Sequence, residues 1–205
     1  MSDLIKRTIS SIILIPLVLY FIYMGSLYIV FLIVICFFVA SYEWHKMVKH
    51  KIYRIIGYIF LILSFYSFYE LSIENFVIIP LLICISTDIG GYVFGKIFKG
   101  PKLTKISPNK TYAGMIGGYF LSIISFITYY SYINQSVTLL LFITIILISS
   151  ISQIGDIIVS YFKRLSKIKN TGKIIPGHGG ILDRIDGMLF AIPTFYLIHL
   201  TGYLI

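Results

Sequence analysis

The sequence predicts an all-α fold: a polytopic membrane helix bundle of about seven transmembrane helices with a cytoplasmic N-terminus. Hydrophobic residues make up 58% of the 205 residues and charged residues only 12%, whereas a typical soluble domain carries about 25% charged residues. The 17 lysines and arginines lie beside the apolar runs and not along them. Because the polar stretches are short loops, we expect a single integral membrane domain over residues 1–205.

The uncharged run at residues 8–42 predicts the first two helices. As one helix, these residues would extend roughly 52 Å, well beyond a hydrocarbon core of ~30 Å. Gly25 and Ser26 offer the natural break, so we expect an N-terminal helical hairpin of two spans, with a re-entrant hairpin as the alternative. The run begins like a signal peptide, but no small-residue cleavage site follows Pro16, and a retained span is predicted.

The remaining five spans are expected near residues 55–69, 76–94, 113–131, 137–162 and 185–204. Two of the 17 basic residues lie at the N-terminus, four in 43–54, five in 95–112 and six in 163–184. The opposite connections, near residues 25, 70–75 and 132–136, contain none. Because cytoplasmic loops carry the excess of Lys and Arg, this alternation predicts the cytoplasmic N-terminus.

The net charge of +9 does not indicate nucleic-acid binding, because the basic residues are confined to loops beside apolar spans. Anionic membrane lipids and a phosphorylated substrate are the expected partners. Cys36 and Cys84 lie inside apolar runs, which argues against a disulfide or a zinc site. Packing within one bundle is favoured over a homodimer contact for two glycine pairs with small-xxx-small spacing: Gly91 with Gly95, and Gly114 with Gly118.

Ionisable residues within apolar spans are costly and therefore indicate function. Four of the eight acidic residues occupy such positions and face the cytoplasmic side in the predicted topology: Asp88, Asp156, Asp183 and Asp186. Along the span 137–162, one helical stripe contains Asp156, Ser160, Lys163 and Lys167. A carboxylate with lysines nearer the helix end suits a phosphate bound through a metal ion. Structural ion pairs are the alternative.

The stretch from Pro176 to Asp186 is more specific. Its three glycines permit close backbone approach and expose N–H groups, as phosphate-binding loops require. Asp183 and Asp186 share a helix face and can bind Mg²⁺, while Arg184 can form paired hydrogen bonds with a phosphate. His178 is expected to donate a hydrogen bond to phosphate, with metal ligation as an alternative. A glycine hinge without a ligand is also open.

These motifs together resemble the signature of phosphatidate cytidylyltransferases (CDP-diacylglycerol synthases), S-x-x-K-R-x4-K-D-x-G-x3-P-G-H-G-G-x2-D-R-x-D. Upstream, residues 88–92 and 107–114 resemble the family segments D-x-x-A-Y and S-P-x-K-T-x-E-G, and Gly155-Asp156 fits the acidic position before the signature. The resemblance covers about residues 80–190, the expected catalytic core. Two departures are Asn170 and Ala113, where the family usually has Asp and Glu.

The resemblance implies transfer of CMP from CTP to phosphatidate, giving CDP-diacylglycerol and pyrophosphate in phospholipid biosynthesis. It implies a two-cation centre with Mg²⁺, and K⁺ as the candidate second ion, held by Asp156, Asp183 and Asp186. The implied catalytic set adds the phosphate-binding residues Lys163, Arg164 and Arg184. The implied substrate-binding set comprises Asp88, Ser107, Lys110, Thr111, Ser160, His178, Gly179 and Gly180.

The expected location is a cell membrane, the inner membrane of a bacterium, with the active site facing the cytoplasm. Two alternatives remain within this family likeness: a CTP-dependent enzyme acting on another lipid, and a catalytically impaired member that serves as a membrane scaffold. The departures at Ala113 and Asn170 motivate the second. A transporter is disfavoured, because the charges lie on one side and no internal repeat is evident.

Overall fold

A computed structural model describes residues 16–135, 137–175 and 179–202. Helix α1 covers residues 16–24. It is followed by α2 (Ser26–Met47), α3 (Lys51–Ile73), α4 (Ile78–Phe98), α5 (Tyr112–Tyr132), α6 (Leu139–Leu165), α7 (Leu182–Ile185) and α8 (Met188–His199). These residues contain no β-strand, only two isolated bridges, Lys102 with Thr111 and Ile175 with Gly179. The predicted all-α class is confirmed.

Helices α2 to α6 are long and apolar enough to cross a membrane, with 21 to 27 residues and a mean hydropathy of 1.3 to 2.1. A helix of that length extends at least ~31 Å, which matches the hydrocarbon core. Helix α8 is apolar but shorter. The described residues therefore contain five candidate spans. The count of seven stays a prediction, since part of the first predicted span falls outside the described residues.

The N-terminal run is interrupted where the sequence predicted. Gly25 separates α1 from α2 and has a φ of +59°, a conformation that glycine adopts without steric cost. Helix α2 then continues to Met47 and past the predicted end at residue 42, so only residues 48–50 separate it from α3. Most of the polar segment 43–54 is helical: its three lysines are exposed, Arg54 donates to the Val48 and Lys49 carbonyls, and Glu43 has partners within the protein.

The chain forms two compact units. The first consists of the described residues up to Asn75 together with Phe162–Asp186. In it α2 packs on α3, and the Trp44 ring lies 5.1 Å from the Phe162 ring in an edge-on arrangement. Trp44 Nε1 also donates to the carbonyl of Arg54 at 3.2 Å. Gly57 leaves space for this indole, which a side chain at that position would overlap.

The second unit consists of Phe76–Tyr161 and the described residues from Gly187 onward. Its main contact joins α4 to α5 through glycines, as a Cβ on Gly90 would overlap the Gly117 carbonyl. A Cβ on Gly114 would lie 2.6 Å from the Gly91 carbonyl oxygen. The Gly91 and Gly114 positions thus meet within one bundle, as predicted. Thr87 Oγ1 donates to Ser149 Oγ at 2.8 Å, so polar groups of two spans satisfy each other.

The predicted last span, 185–204, is shorter in the structure, where α8 covers Met188–His199 and a separate short helix precedes it. Helix α7 ends at Ile185 and α8 begins at Met188, although Asp186 and Gly187 keep helical backbone angles. Gly187 packs closely on α6, because a Cβ there would lie 2.5 Å from Ser152 Oγ. Within α8, Pro193 has no N–H to donate to the preceding turn. The division depends on a close tertiary contact that hydropathy alone does not reveal.

Candidate active site

Helix α6 carries Asp156, Ser160 and Lys163, as predicted. The stripe does not extend to Lys167, because α6 ends at Leu165 and Lys167 has a left-handed φ of 56°. Asp156 and Ser160 belong to the second unit, and Lys163 belongs to the first. Each unit therefore contains one charged cluster of predicted site residues.

The cluster of the second unit is built around Asp156. Lys110 Nζ lies 2.5 Å from Asp156 Oδ2 and also donates to the Gln153 carbonyl at 3.3 Å. Ser160 Oγ donates to Asp156 Oδ1 at 3.2 Å. The charged side chains are 24% and 28% exposed, so a solute can reach them. Three predicted site residues, Lys110, Asp156 and Ser160, are thus brought together, although their direct pairing was not predicted.

The loop before α5 presents Lys110. Thr111 caps α5, its Oγ1 accepting from the Gly114 N–H at 3.1 Å. The Ser107 carbonyl accepts from the Lys110 N–H at 3.0 Å, which closes a turn. Ser107 and Thr111 are therefore held beside Lys110 in the chain, and their bonds to substrate stay a prediction. Asp88 is exposed near the middle of α4, and its predicted role as orienting group is likewise untested.

The cluster of the first unit joins α6 to α7. Lys163 Nζ lies 3.0 Å from Asp183 Oδ1 and 3.5 Å from Asp186 Oδ2. The three side chains are only 9%, 7% and 12% exposed. Two carboxylates thus share one ammonium group.

Asp183 also organises the glycine-rich loop. Its Oδ2 accepts from the Thr171 N–H at 2.8 Å and from the Gly180 N–H at 3.0 Å. The Gly179 N–H donates to the Ile175 carbonyl at 3.2 Å, with a φ of +94°. The amides of Gly179 and Gly180, predicted to bind phosphate, therefore donate within the loop here, and phosphate binding by them stays a prediction. His178 lies outside the described residues.

Both predicted arginines are exposed. Arg164 Nη1 donates to the Ile168 carbonyl at 3.1 Å, just beyond the end of α6. Arg184 lies on the short helix α7, next to Asp183 in the chain. Both arginines are chain neighbours of residues in the Lys163 cluster, and phosphate binding by them stays a prediction.

Glu43 is the residue that sequence reasoning missed. It is 1% exposed and accepts from the Thr171 hydroxyl at 2.9 Å. It also accepts from the N–H groups of Ile181 at 3.2 Å and Leu182 at 2.8 Å. The sequence places Glu43 in the polar connection that follows the run 8–42. The signal that could have found it is a lone carboxylate directly after a long uncharged run.

The chemistry of the Lys163 cluster fits the implied Mg²⁺, because Mg²⁺ prefers carboxylate oxygens as ligands. Asp183 and Asp186 supply such oxygens, and both contact the same Lys163 ammonium group. Among the residues that the structure describes, no group of three or more His, Cys, Asp or Glu side chains is assembled as a metal site. Asp156 belongs to the other unit. The predicted set of three carboxylates on one cation centre therefore stays a prediction.

Comparison with known proteins supports the motif analysis. Residues 5–78 and 55–201 match the model of the cytidylyltransferase family. The phosphatidate cytidylyltransferase of Rickettsia typhi (strain ATCC VR-144 / Wilmington) is 37% identical over 97% of this chain and 93% of its own length. That of Rickettsia bellii (strain RML369-C) is 36% identical over 97% and 91%. That of Staphylococcus aureus (strain COL) is 43% identical, but the match spans 66% of this chain and 54% of that protein.

Proposed function

Because this chain belongs to the cytidylyltransferase family, we propose that it transfers CMP from CTP to phosphatidate, forming CDP-diacylglycerol and pyrophosphate. The observation that carries the proposal is the match of 97% of the chain to a phosphatidate cytidylyltransferase. The two clusters of lysine and carboxylate suit this chemistry, since both substrates are phosphates. The protein is thus a nucleotidyltransferase whose partners are CTP, phosphatidate and membrane lipids, without nucleic acid. A homodimer is the alternative to a monomer.

The reaction needs little covalent chemistry from the protein. An oxygen of the lipid phosphate attacks the α-phosphorus of CTP, and the new P–O bond forms as the bond to the bridging oxygen of the β-phosphate breaks. Pyrophosphate leaves with that oxygen. The nucleophile is already anionic at neutral pH, so no strong general base is required. The protein has to position two polyanions and offset their negative charge.

Four cationic side chains are proposed to bind phosphate oxygens: Lys110, Lys163, Arg164 and Arg184. Lys110 and Lys163 each contact a carboxylate in the structure, so both ammonium groups are already held in place. Arg184 can offer a planar fork of N–H donors to a phosphate from the surface of α7. Ser107, Thr111 and Ser160 are proposed as hydroxyl donors, and Asp88 as a group that orients a lysine.

Asp183 and Asp186, with Asp156 as a third ligand, are proposed to hold Mg²⁺ in a two-cation centre, with K⁺ as the candidate second ion. When bound, Mg²⁺ supplies neutralisation of the triphosphate charge. Asp183 Oδ2 already accepts two backbone N–H groups, which fill its two lone pairs. Oδ1, which faces Lys163, is therefore the Asp183 oxygen with capacity for a cation.

The proposed topology has seven spans, a cytoplasmic N-terminus and an active site facing the cytoplasm of a bacterial cell. Its support is the confinement of all 17 basic residues to alternate connections. Lys110, Lys163, Arg164 and Arg184 all fall in these basic connections, so the proposed phosphate ligands share one side with soluble CTP.

The test is formation of CDP-diacylglycerol and pyrophosphate by the purified protein from CTP and phosphatidate in mixed micelles with Mg²⁺. A parallel panel of polyprenyl phosphates and lipid alcohols identifies the acceptor. We expect product with phosphatidate alone. If product formed only from another lipid, that lipid would replace phosphatidate as the proposed acceptor. If the folded protein formed no product, the alternative of a catalytically impaired membrane scaffold would be favoured.

The same assay tests Asp156. The substitution Asp156→Asn removes the carboxylate charge that faces Lys110 and keeps the side-chain shape. We expect it to abolish transfer while the protein elutes as a folded species in detergent. Glu74→Gln, at the exposed end of α3, is the matched control and should retain activity. If the Asp156→Asn variant were as active as this control, Asp156 would be removed from the mechanism.

A further inference from the structure

Glu43 lies one turn before the end of α2 and is 1% exposed. Carboxylates are seldom buried to this extent unless they are paired. The partners of Glu43 come from two places in the chain: the Thr171 hydroxyl, and the consecutive N–H groups of Ile181 and Leu182. One carboxylate therefore binds both ends of the loop 171–182.

The loop is shaped to admit this carboxylate. A Cβ on Gly172 or on Gly180 would overlap the carboxylate oxygens of Glu43. Neither glycine has a φ in the left-handed region, so space and not backbone conformation explains glycine at both positions. Glycine at these two places is thus a consequence of how closely Glu43 approaches the backbone.

The same loop ends hold Asp183. Thr171 donates its hydroxyl to Glu43 and its N–H to Asp183 Oδ2. Leu182, bonded to Glu43, directly precedes Asp183, and Asp183 Oδ1 accepts from Lys163. A continuous set of hydrogen bonds therefore runs from Glu43 through the loop to the Asp183 and Lys163 pair.

We propose that Glu43 is a positioning residue for cytidylyl transfer: from α2 it fixes both ends of the loop 171–182 and, through them, the carboxylate of Asp183. The proposal rests on the proposed function. The role requires a carboxylate, because its two oxygens accept three hydrogen bonds. A glutamine offers one oxygen, and its NH₂ group would face an N–H donor of Ile181 or Leu182.

The experiment compares Glu43→Gln with Glu74→Gln, the same change at an exposed position. We expect Glu43→Gln to lower kcat by about 10- to 100-fold, as misplacement of a reacting group by about 1 Å does. Hydrogen exchange followed by mass spectrometry supplies a readout independent of turnover. Exchange at the N–H groups of Gly180, Ile181 and Leu182 should be about tenfold faster in Glu43→Gln than in the control.

Two outcomes would overturn the proposal: exchange at these amides equal to the control, or a wild-type kcat for the folded fraction with only a lower melting temperature. If Glu43→Gln does not fold, Thr171→Val removes one of the three bonds and should still speed exchange at the loop ends. An inactive wild type would overturn the proposed function, whereas the exchange rates would still decide whether Glu43 anchors the loop.

Discussion

At the scale of single residues, Lys163 is a buried cation that contacts two carboxylates. Its ammonium group is the shared partner of Asp183 and Asp186, and all three side chains are nearly enclosed. Removing one partner of a buried ion cluster leaves the other charges without compensation, which costs more than the cluster itself contributes. Lys163 is therefore expected to stabilise the fold in addition to its proposed role in phosphate binding.

We expect Lys163→Met to lower the free energy of unfolding by about 3–5 kcal/mol, because two buried carboxylates lose their cation. Lys163→Arg should keep most of that stability but lose activity, since the planar guanidinium does not reproduce a point charge between two oxygens. Thermal unfolding in detergent and the product assay measure the two effects. Lys173→Met is the control, because Lys173 is an exposed lysine of the loop that follows α6. Equal melting temperatures for both methionine variants would contradict the expectation.

Lys163, Asp183 and Asp186 could be predicted from the sequence, because charged residues next to apolar runs and a glycine-rich motif are both local sequence signals. It did not predict that Lys110 pairs with Asp156. Nor did it predict Glu43, whose partners lie 128 to 139 residues away in the chain. Contacts at such separations depend on which helices pack together, and hydropathy carries no information on that.

At the scale of elements, helices α4 and α5 show how accurately apolar runs predict the bounds of membrane helices. The predicted spans 76–94 and 113–131 agree with the helices to within a few residues. Helices α4 and α6 extend past the predicted ends and carry Lys96 and Lys163 in their last turns, where a positive charge complements the helix dipole. The division between α7 and α8 could not be predicted, since it accompanies the close contact of Gly187 with Ser152.

The α4–α5 contact yields a test with neighbouring positions. Gly90→Ala should destabilise the protein by about 1–3 kcal/mol, because its Cβ would overlap the Gly117 backbone. Gly91→Ala is the control, since the nearest atom to its Cβ would be the Gly114 carbonyl oxygen at an ordinary 3.8 Å. Melting temperatures in detergent measure both. A Gly90→Ala variant as stable as Gly91→Ala would show that the helices are not in backbone contact.

At the scale of the whole molecule, charge asymmetry predicts orientation in the membrane. Lys49 and Lys102 lie in basic connections, and Asn75 lies in a connection without basic residues. All three are exposed. In intact cells, an impermeant maleimide should label Asn75→Cys but not Lys49→Cys or Lys102→Cys, which should react only after permeabilisation, in a background with Cys36 and Cys84 replaced. The reverse pattern would invert the topology.

The fold class and the family follow from the sequence, because composition, charge alternation and the 160–186 motif are all local signals. The grouping into two units was not predicted. The unit boundaries follow Asn75, Tyr161 and Asp186. The hydropathy of the sequence does not change at these positions in a way that would mark a boundary. Packing such as that of Trp44 on Phe162 determines this grouping.

The glycine contact between α4 and α5 also bears on biogenesis. Glycine has no side-chain rotamers to lose, so two helices that meet through glycine backbones associate without that entropic cost. Both helices precede α6 in the chain and follow one another directly, joined by residues 99–111. The pair can therefore assemble as a helical hairpin during translation. Lys110, in the connection between these two helices, is then synthesised before its counter-ion Asp156 on α6.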